Sequence, residues 1–382
     1  MAVANSPAVS AETLLQRARD LVPALKQRAR EAETLRHVPE ETIRELKDAG
    51  LFDIATPRRF GGSGHEIDLI YRVGIELGRG CGSTAWCYTV LSIHNWMLGH
   101  WPLEMQEEYF ATGPDTLSSS SFAPIGKLTP VDGGFRLSGR WEFSSGSDAG
   151  IWALVGAMGP DGPAYTLVPR PDYEVQQDTW FVSGLKGTGS KDLVIEDAFL
   201  PSHRLLPFAR LGPASGMSEL HERASYRLPG YALLPYTLVA PLAGMAQAAV
   251  DDIVERYGGT GGDGRSGESA GLQMRLAESS AEADTARLII EHDTRRAIER
   301  AAAGETLSDL DLARHRRNVA YVARLCCSAV DRLFEASGGH SLFEEHPMQR
   351  IHRDVHAGAH QSALYWDPVA QAYGRAAFGL PQ

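Results

Sequence analysis

Two hydroxyl- and glycine-rich segments and two groups of histidines hold most of the chemical potential of this sequence. Trp141-Glu142-Phe143-Ser144-Ser145-Gly146 sets two hydroxyls beside aromatics at the end of a segment with strand periodicity. Hydroxyls so placed can reach the edge of a flat ligand, although a plain polar strand-to-turn transition has the same composition. Phe181-Val182-Ser183-Gly184-Leu185-Lys186-Gly187-Thr188-Gly189-Ser190 offers backbone N–H groups and hydroxyls suited to a phosphate or a heterocycle edge. A loop between strands reads the same way. His94 and His100 flank Asn95-Trp96-Met97, and a six-residue step does not align side chains on one helix face. A histidine in this apolar, Trp-rich stretch is a hydrogen-bonded core residue or a group that orients or deprotonates an acidic substrate. His352, His356 and His360 fall at i, i+4 and i+8 with Asp354 nearby, the most metal-like pattern in the chain. Successive turns drift, however, and that face carries no further carboxylate, so the expected metal is none and the rings line a pocket or pack. Gly259-Thr260-Gly261-Gly262-Asp263-Gly264 matches the GxGxxG pattern of dinucleotide-binding folds. The segment before it, Ala246–Tyr257, reads as helix where the motif needs a strand, which excludes a nicotinamide site of that kind.

These groups need elements to hold them, and the period of the sequence changes twice. Residues 1–115 read as an N-terminal helical domain. Val38-Pro39-Glu40-Glu41 is a helix start, and a helix runs from near Leu69 to Trp101, interrupted around Arg79-Gly80-Cys81-Gly82. Residues 116–212 read as a small β domain of period two. Asp132-Gly133-Gly134 between Lys127–Val131 and Phe135–Ser138 predicts a hairpin, with further strands at Ile151–Met158, Tyr165–Val168 and Leu193–Ile195. Residues 213–382 return to helical period, with stripes at Leu272, Leu276, Ala283, Ala286, Ile290 and at Leu312, Val319, Val322, Cys326, Leu333, predicting an antiparallel bundle.

The chain has 382 residues, enough for two or three domains, and a formal net charge of −11. That balance argues against phosphate-backbone binding, so no nucleic-acid partner is expected. No run of about 18 apolar residues predicts a membrane-spanning helix. The first residues lack the charged and apolar regions of a secretory signal, and Cys81, Cys87, Cys326 and Cys327 make no disulfide framework. The expectation is a cytoplasmic, reduced protein with no membrane partner.

Together these segments resemble the acyl-CoA dehydrogenase fold: N-terminal α-helical domain, small middle β-barrel or sandwich domain, and C-terminal four-helix bundle. Pro39-Glu40, Ala49-Gly50-Leu51-Phe52, Pro57-Arg58-Arg59-Phe60-Gly61-Gly62 and Gly133-Gly134-Phe135-Arg136-Leu137-Ser138-Gly139-Arg140-Trp141 are similar to its signatures. Phe143-Ser144-Ser145-Gly146, Gly184 to Ser190, Ile93-His94-Asn95-Trp96 and Arg353-Asp354-Val355-His356-Ala357 resemble, within that fold, the flavin-dependent monooxygenases of two-component systems. These are oxygenase components that hydroxylate 4-hydroxyphenylacetate, secosteroid phenols or indoles. A dehydrogenase of the fold usually carries a catalytic Glu in a Tyr-Glu-Gly context past the Arg-Asp pair. Here that stretch reads His360-Gln361-Ser362-Ala363-Leu364-Tyr365-Trp366-Asp367.

The resemblance implies reduced FMN or FAD from a separate NAD(P)H-dependent flavin reductase, O2 as co-substrate, and hydroxylation of a small aromatic substrate by a C4a-hydroperoxide. It implies Ser144 or Ser145 at the flavin N5, and Ser119, Ser120, Phe122 and Ala123 along the other edge, with Trp141, Thr188 and Ser190 close by. Gln273, Arg275, Ser337, Gly338 and Gly339 would hold flavin across a subunit boundary in a homotetramer. His94 would be one pocket histidine, accepting a phenol proton, and His356 or His360 a second, with Trp96 and Tyr365 against the substrate. Alternatives of the same fold are an FAD-dependent acyl-CoA desaturase and an N- or S-oxygenase. A helical metal-binding protein built on His352, His356 and His360 is an alternative of another class, and a flavin carrier without catalysis a further one.

Overall fold

A computed structural model describes residues 9–258 and 267–381; the GxGxxG match at 259–264 lies outside them. Helix α1 (Ala11–Leu35) starts where the Ser10 hydroxyl accepts from Thr13 N, and it buries Leu14, Leu15, Ala18, Leu25, Ala29 and Ala32. The short α2 (Glu40–Asp48) begins after Pro39, as its sequence predicts. Helices α3 (Asp68–Gly78) and α4 (Gly82–Leu98) are separated by the predicted interruption. Helix α4 is apolar on every side, which fits only the middle of a larger body, and nearly all of it is buried. Helix α5 (Leu103–Tyr109) then buries Met105 and Tyr109.

The middle region forms a seven-stranded sheet from β1 (Ser118–Val131), β2 (Gly134–Ser144), β3 (Trp152–Gly159), β4 (Gly162–Pro169), β5 (Glu174–Gln176), β6 (Lys191–Pro201) and β7 (Leu205–Pro207), in spatial order β5-β6-β2-β1-β3-β4-β7. The predicted hairpin joins β1 to β2 with Val131 paired to Gly134 and Gly133 at φ 81°, a conformation suited to glycine. Strands β1 and β3 run parallel. Leu137, Trp141, Ala153, Val155, Leu193 and Ile195 fill one face of the sheet with their own core.

After the sheet come α6 (Gly230–Leu233), α7 (Tyr236–Tyr257), α8 (Ala270–Ala302), α9 (Asp309–Ala336), α10 (Pro347–Ala359) and α11 (Trp366–Ala377). Helices α7 to α10 pack as a bundle, and α11 covers α9. Most of both predicted stripes is buried: Ala283, Ala286 and Ile290 on α8, and Val319, Val322, Cys326 and Leu333 on α9. The stretch Gly230–Tyr257 is long and apolar enough to cross a membrane, but 78% of its most apolar window is buried in the bundle.

Sequence-distant helices share one interior. Helix α3 lies against α7 so closely that a Cβ on Gly78 would stand 2.8 Å from the Pro241 carbonyl oxygen. Tyr71 donates to Leu233 O at 3.0 Å and Thr89 to Thr237 O at 2.8 Å. Buried Glu76 accepts from Arg287 at 2.5 Å and pairs with Arg79 at 3.3 Å and Arg19 at 3.6 Å, joining α1, α3 and α8. Burial pushes the Glu76 carboxyl up, but Arg287, Arg19 and Arg79 together hold it below its ordinary value. The sheet therefore interrupts a helical body assembled from both ends of the chain.

Candidate active site

Helix α4 forms the wall against which the strand ends and the glycine-rich loop come to rest. Trp86 donates its indole N–H to Ser145 Oγ at 3.1 Å, and the Cys87 thiol donates to Thr188 O at 3.2 Å. Leu91 packs so tightly on Gly146 that a Cβ there would meet it at 3.0 Å. Two turns beyond Trp86, the His94 ring bonds to Ser118 O at 2.6 Å, at the start of β1. One rigid, buried helix thus sets the relative positions of 118, 144–146 and 184–190.

Strand β2 would alternate Trp141 in, Glu142 out and Phe143 in, but an extra residue interrupts its pairing with β6 between Trp141 and Ser144. Phe143 takes φ 65°, a left-handed conformation that costs a non-glycine residue about 1–2 kcal/mol. The bulge throws Phe143 into solvent, 68% exposed, and turns Ser144 inward, fully buried. Ser144 Oγ has no hydrogen-bond partner among the described residues, and neither has buried Ser119 Oγ on β1. A buried hydroxyl without a partner is costly, and strain of this kind persists where the surroundings enforce it. Both orphan hydroxyls fit the polar edge of a flavin, whose N5 and ring oxygens can supply the missing partners.

Ser145 is already occupied. Its Oγ lies 2.7 Å from Ser190 Oγ, Ser190 lies 2.7 Å from Thr188 Oγ1, and Thr188 donates to Leu185 O at 2.8 Å. Each hydroxyl has one proton, so all these bonds form together in only one direction. The order runs from Trp86 N–H to Ser145, from Ser145 to Ser190, from Ser190 to Thr188, and ends on the Leu185 carbonyl. Ser145 keeps one free lone pair and no free proton.

The loop at the end of this chain is held from outside the sheet. Buried Asp354 on α10 accepts from Leu185 N at 2.6 Å, where Leu185 stands at φ 52°. Burial pushes the Asp354 carboxyl up to about 6. Gly184 touches the α10 backbone: a Cβ there would lie 2.1 Å from the Arg353 carbonyl oxygen. Arg353 also donates to Ser183 O at 2.5 Å and to Glu33 at 2.7 Å. On the other side, fully buried Lys191 holds Asp148 at 2.8 Å and Gln177 at 2.6 Å, fixing the turn that follows Ser144.

His94 is buried, and burial pulls its imidazole down to about 4 despite the Ser118 carbonyl. The ring is neutral at pH 7. A carbonyl accepts only from N–H, so Nδ1 carries the proton and Nε2 presents a bare lone pair. The Phe122 ring stands edge-on to it at 6.0 Å. Burial likewise lowers His100 to about 3 and His221 to about 4. Below about pH 6.5 the unfolded chain takes up these three protons and the native state does not, so stability is lost as pH falls from 6.5 toward 4. Asp68 and Asp354, both raised to about 6 by burial, oppose this because they bind protons in the native state. Three larger shifts outweigh two smaller ones, so denaturant unfolding should show lower stability at pH 5 than at pH 7. Equal or higher stability at pH 5 would contradict the assignment of buried neutral histidines.

The other expected site residues fall at varied places in the structure, and two of them belong to the core. Trp96 lies two residues from His94, about 200° around the helix. It is 1% exposed, donates to Ser225 Oγ at 3.2 Å and stacks on Tyr226, so it is core and not a substrate contact. Trp141 is also core: its indole donates to Gly156 O at 2.7 Å inside the sheet. His356 turns to Asp331 at 2.6 Å, and His360, at the C-terminal end of α10, bonds back to His356 O at 2.8 Å. Neither has a described contact with the residues around Ser144. Tyr365 is 51% exposed, just before α11. On β1, Ser120 and Phe122 are half-buried and Ala123 is exposed. Gln273 and Arg275 are exposed in the first two turns of α8, where, among the described residues, their side chains bond to Gly267 O and Gly271 O. Ser337, Gly338 and Gly339 end α9, with Ser337 turned back onto Leu333 O at 2.7 Å. Trp86, Cys87 and Lys191, which position the site, carry no local motif, and nothing in their spacing announces them.

Residues 10–112 match the family of acyl-CoA dehydrogenase N-terminal domains, and residues 236–365 that of acyl-CoA dehydrogenase C-terminal domains. The oxygenase component of the FADH(2)-dependent resorcinol hydroxylase of Rhizobium sp. (strain MTP-10005) is 34% identical over 386 residues, covering 96% of this chain and 94% of that one. The flavin-dependent monooxygenase oxygenase subunit HsaA of Rhodococcus jostii (strain RHA1) is 35% identical over 380 residues, covering 96% and 98%. The crystal structure of 3-HSA hydroxylase from Rhodococcus sp. RHA1 superposes with a TM-score of 0.92 at 34% identity, covering 97% of this chain and 98% of that one. On these likenesses the chain belongs to the flavin-dependent monooxygenases, the oxygenase components built on the acyl-CoA dehydrogenase fold.

Proposed function

We propose that this monooxygenase hydroxylates a small phenol, using reduced flavin delivered by a separate NAD(P)H-dependent reductase. The observation that carries the substrate class is the His94 tautomer: a bare Nε2 in a dry site accepts a hydrogen bond and gives none. A phenolic O–H suits it, and an indole N–H would suit it too. The named relatives support the phenol, since one acts on resorcinol.

Reduced flavin, with FADH2 favoured by that relative's name, and O2 supply the oxygen-inserting chemistry when bound. The chain's own residues do the rest. Ser144 and Ser119 would hold the polar edge of the ring system, Ser144 Oγ accepting a hydrogen bond from the N5–H, while α4 and Phe122 would shield it from water. Ser145, Thr188 and Ser190 keep the loop in register and leave one acceptor lone pair. His94 holds the phenol O–H as an acceptor. Burial pulls the His94 imidazole down, which favours its holding the phenol O–H as an acceptor over taking the proton.

Gln273, Arg275 and the Ser337–Gly339 turn lie outside this cluster and suit a neighbouring chain's flavin in a cytoplasmic homotetramer. Light scattering of the purified protein tests that assembly. The function is tested by supplying reduced flavin and O2 with a panel of phenols and their methyl ethers. Hydroxylated phenol is expected, with the ether rejected by at least about 10²-fold because the His94 acceptor is left unpaired. Equal turnover of phenol and ether would remove the His94 role. Bleaching of bound FAD by an acyl-CoA, with no oxygenated product from any aromatic, would move the protein to the desaturases.

A further inference from the structure

We propose that Asp331, His352 and His356 form a binding site for a divalent transition-metal ion such as zinc, on the outer side of the bundle where α9 meets α10. His352 and His356 lie one turn apart on α10, and Asp331 faces them from α9. Asp331 Oδ1 lies 3.1 Å from His352 Nε2 and 2.6 Å from His356 Nε2, and the three ligand atoms all fall within 4.8 Å of one another. An ion about 2.1 Å from each would need them about 3.0–3.4 Å apart, so the cluster has only to open slightly on one side and close on another. Two imidazole nitrogens and one carboxylate oxygen on one side of an ion leave its remaining positions to water.

The sequence pattern of three histidines pointed at this region but supplied the wrong third ligand. His360 turns back to the helix end, and the missing carboxylate comes from the neighbouring helix. The His352 ring is stacked on Phe334, with centroids 4.4 Å apart, so part of the site is set before an ion arrives. Side-chain exposures of 31%, 36% and 50% leave the three groups open to solvent. A bound ion would clamp α9 to α10, the helix whose Asp354 and Arg353 hold the 183–185 loop, without touching the active site.

The test uses the untagged, chelator-treated, full-length protein, titrated with Co2+ by absorbance and with Zn2+ by calorimetry. One ion per chain with micromolar affinity is expected, together with a rise of a few degrees in Tm. Asp331→Asn and His352→Ala should each weaken binding at least about tenfold and abolish the rise. Because a variant can lose its fold, the wild-type protein carries a second readout. Zn2+ should protect His352 and His356, but not His360, from diethylpyrocarbonate, as mapped by mass spectrometry. No binding at millimolar metal, binding indifferent to both substitutions, or protection spread over other histidines would each overturn the proposal.

Discussion

Ser144→Ala is expected to leave the protein folded while hydroxylated product falls about 10²-fold or more and hydrogen peroxide appears in its place. The hydroxyl makes no bond among the described residues, so its removal breaks none of them and relieves a buried orphan. Its use must therefore lie with a bound partner, and oxidation of reduced flavin should continue without yielding product. Ser145→Ala is the control. It leaves the Trp86 N–H without a partner and takes from Ser190 one of its two bonds, the one to Thr188 remaining, and about 1–3 kcal/mol of stability should be lost by urea unfolding. Coupling of product to flavin consumed, measured in both variants, separates the two serines. Normal coupling in Ser144→Ala would remove Ser144 from the flavin edge.

Lys191→Met should lower stability by about 3–5 kcal/mol, the largest loss expected of any single change near the site. The ammonium group is fully buried and balances Asp148 at 2.8 and 2.9 Å. Methionine fills the space but leaves that carboxylate with only the Gln177 amide, at 3.1 Å. Because Asp148 shapes the turn after the Phe143 bulge, coupling should fall together with stability. A urea midpoint shift equivalent to less than about 1 kcal/mol would mean that water replaces the lysine and the pair is not structural.

Much of the fold was legible because its signals are local. Asp132-Gly133 specifies a hairpin whatever surrounds it, and α4 reads as a buried helix from composition alone. The Ser144–Ser145 segment was legible as a site, but not which serine does what. That depends on one extra residue opposite β6 and on an indole 59 positions earlier in the chain. Trp96 was misread although the information was present, since a step of two from His94 faces the far side of any helix. Asp331 was out of reach, because no spacing within α10 reveals what α9 sets opposite it.

The helical body closed from both ends of the chain also bears on synthesis. Helices α3 and α4 are buried largely by α7, and roughly 140 residues separate the end of α4 from the start of α7. At ribosomal rates of about 5–20 residues per second, that gap lasts roughly 7–28 s. Throughout it, the sheet can form beneath a helix that will wall the active site but has nothing yet to cover its outer face. A nascent chain of this kind would be a client for holding chaperones, and a stop codon between α4 and α7 would release a fragment with α4 bare on that face.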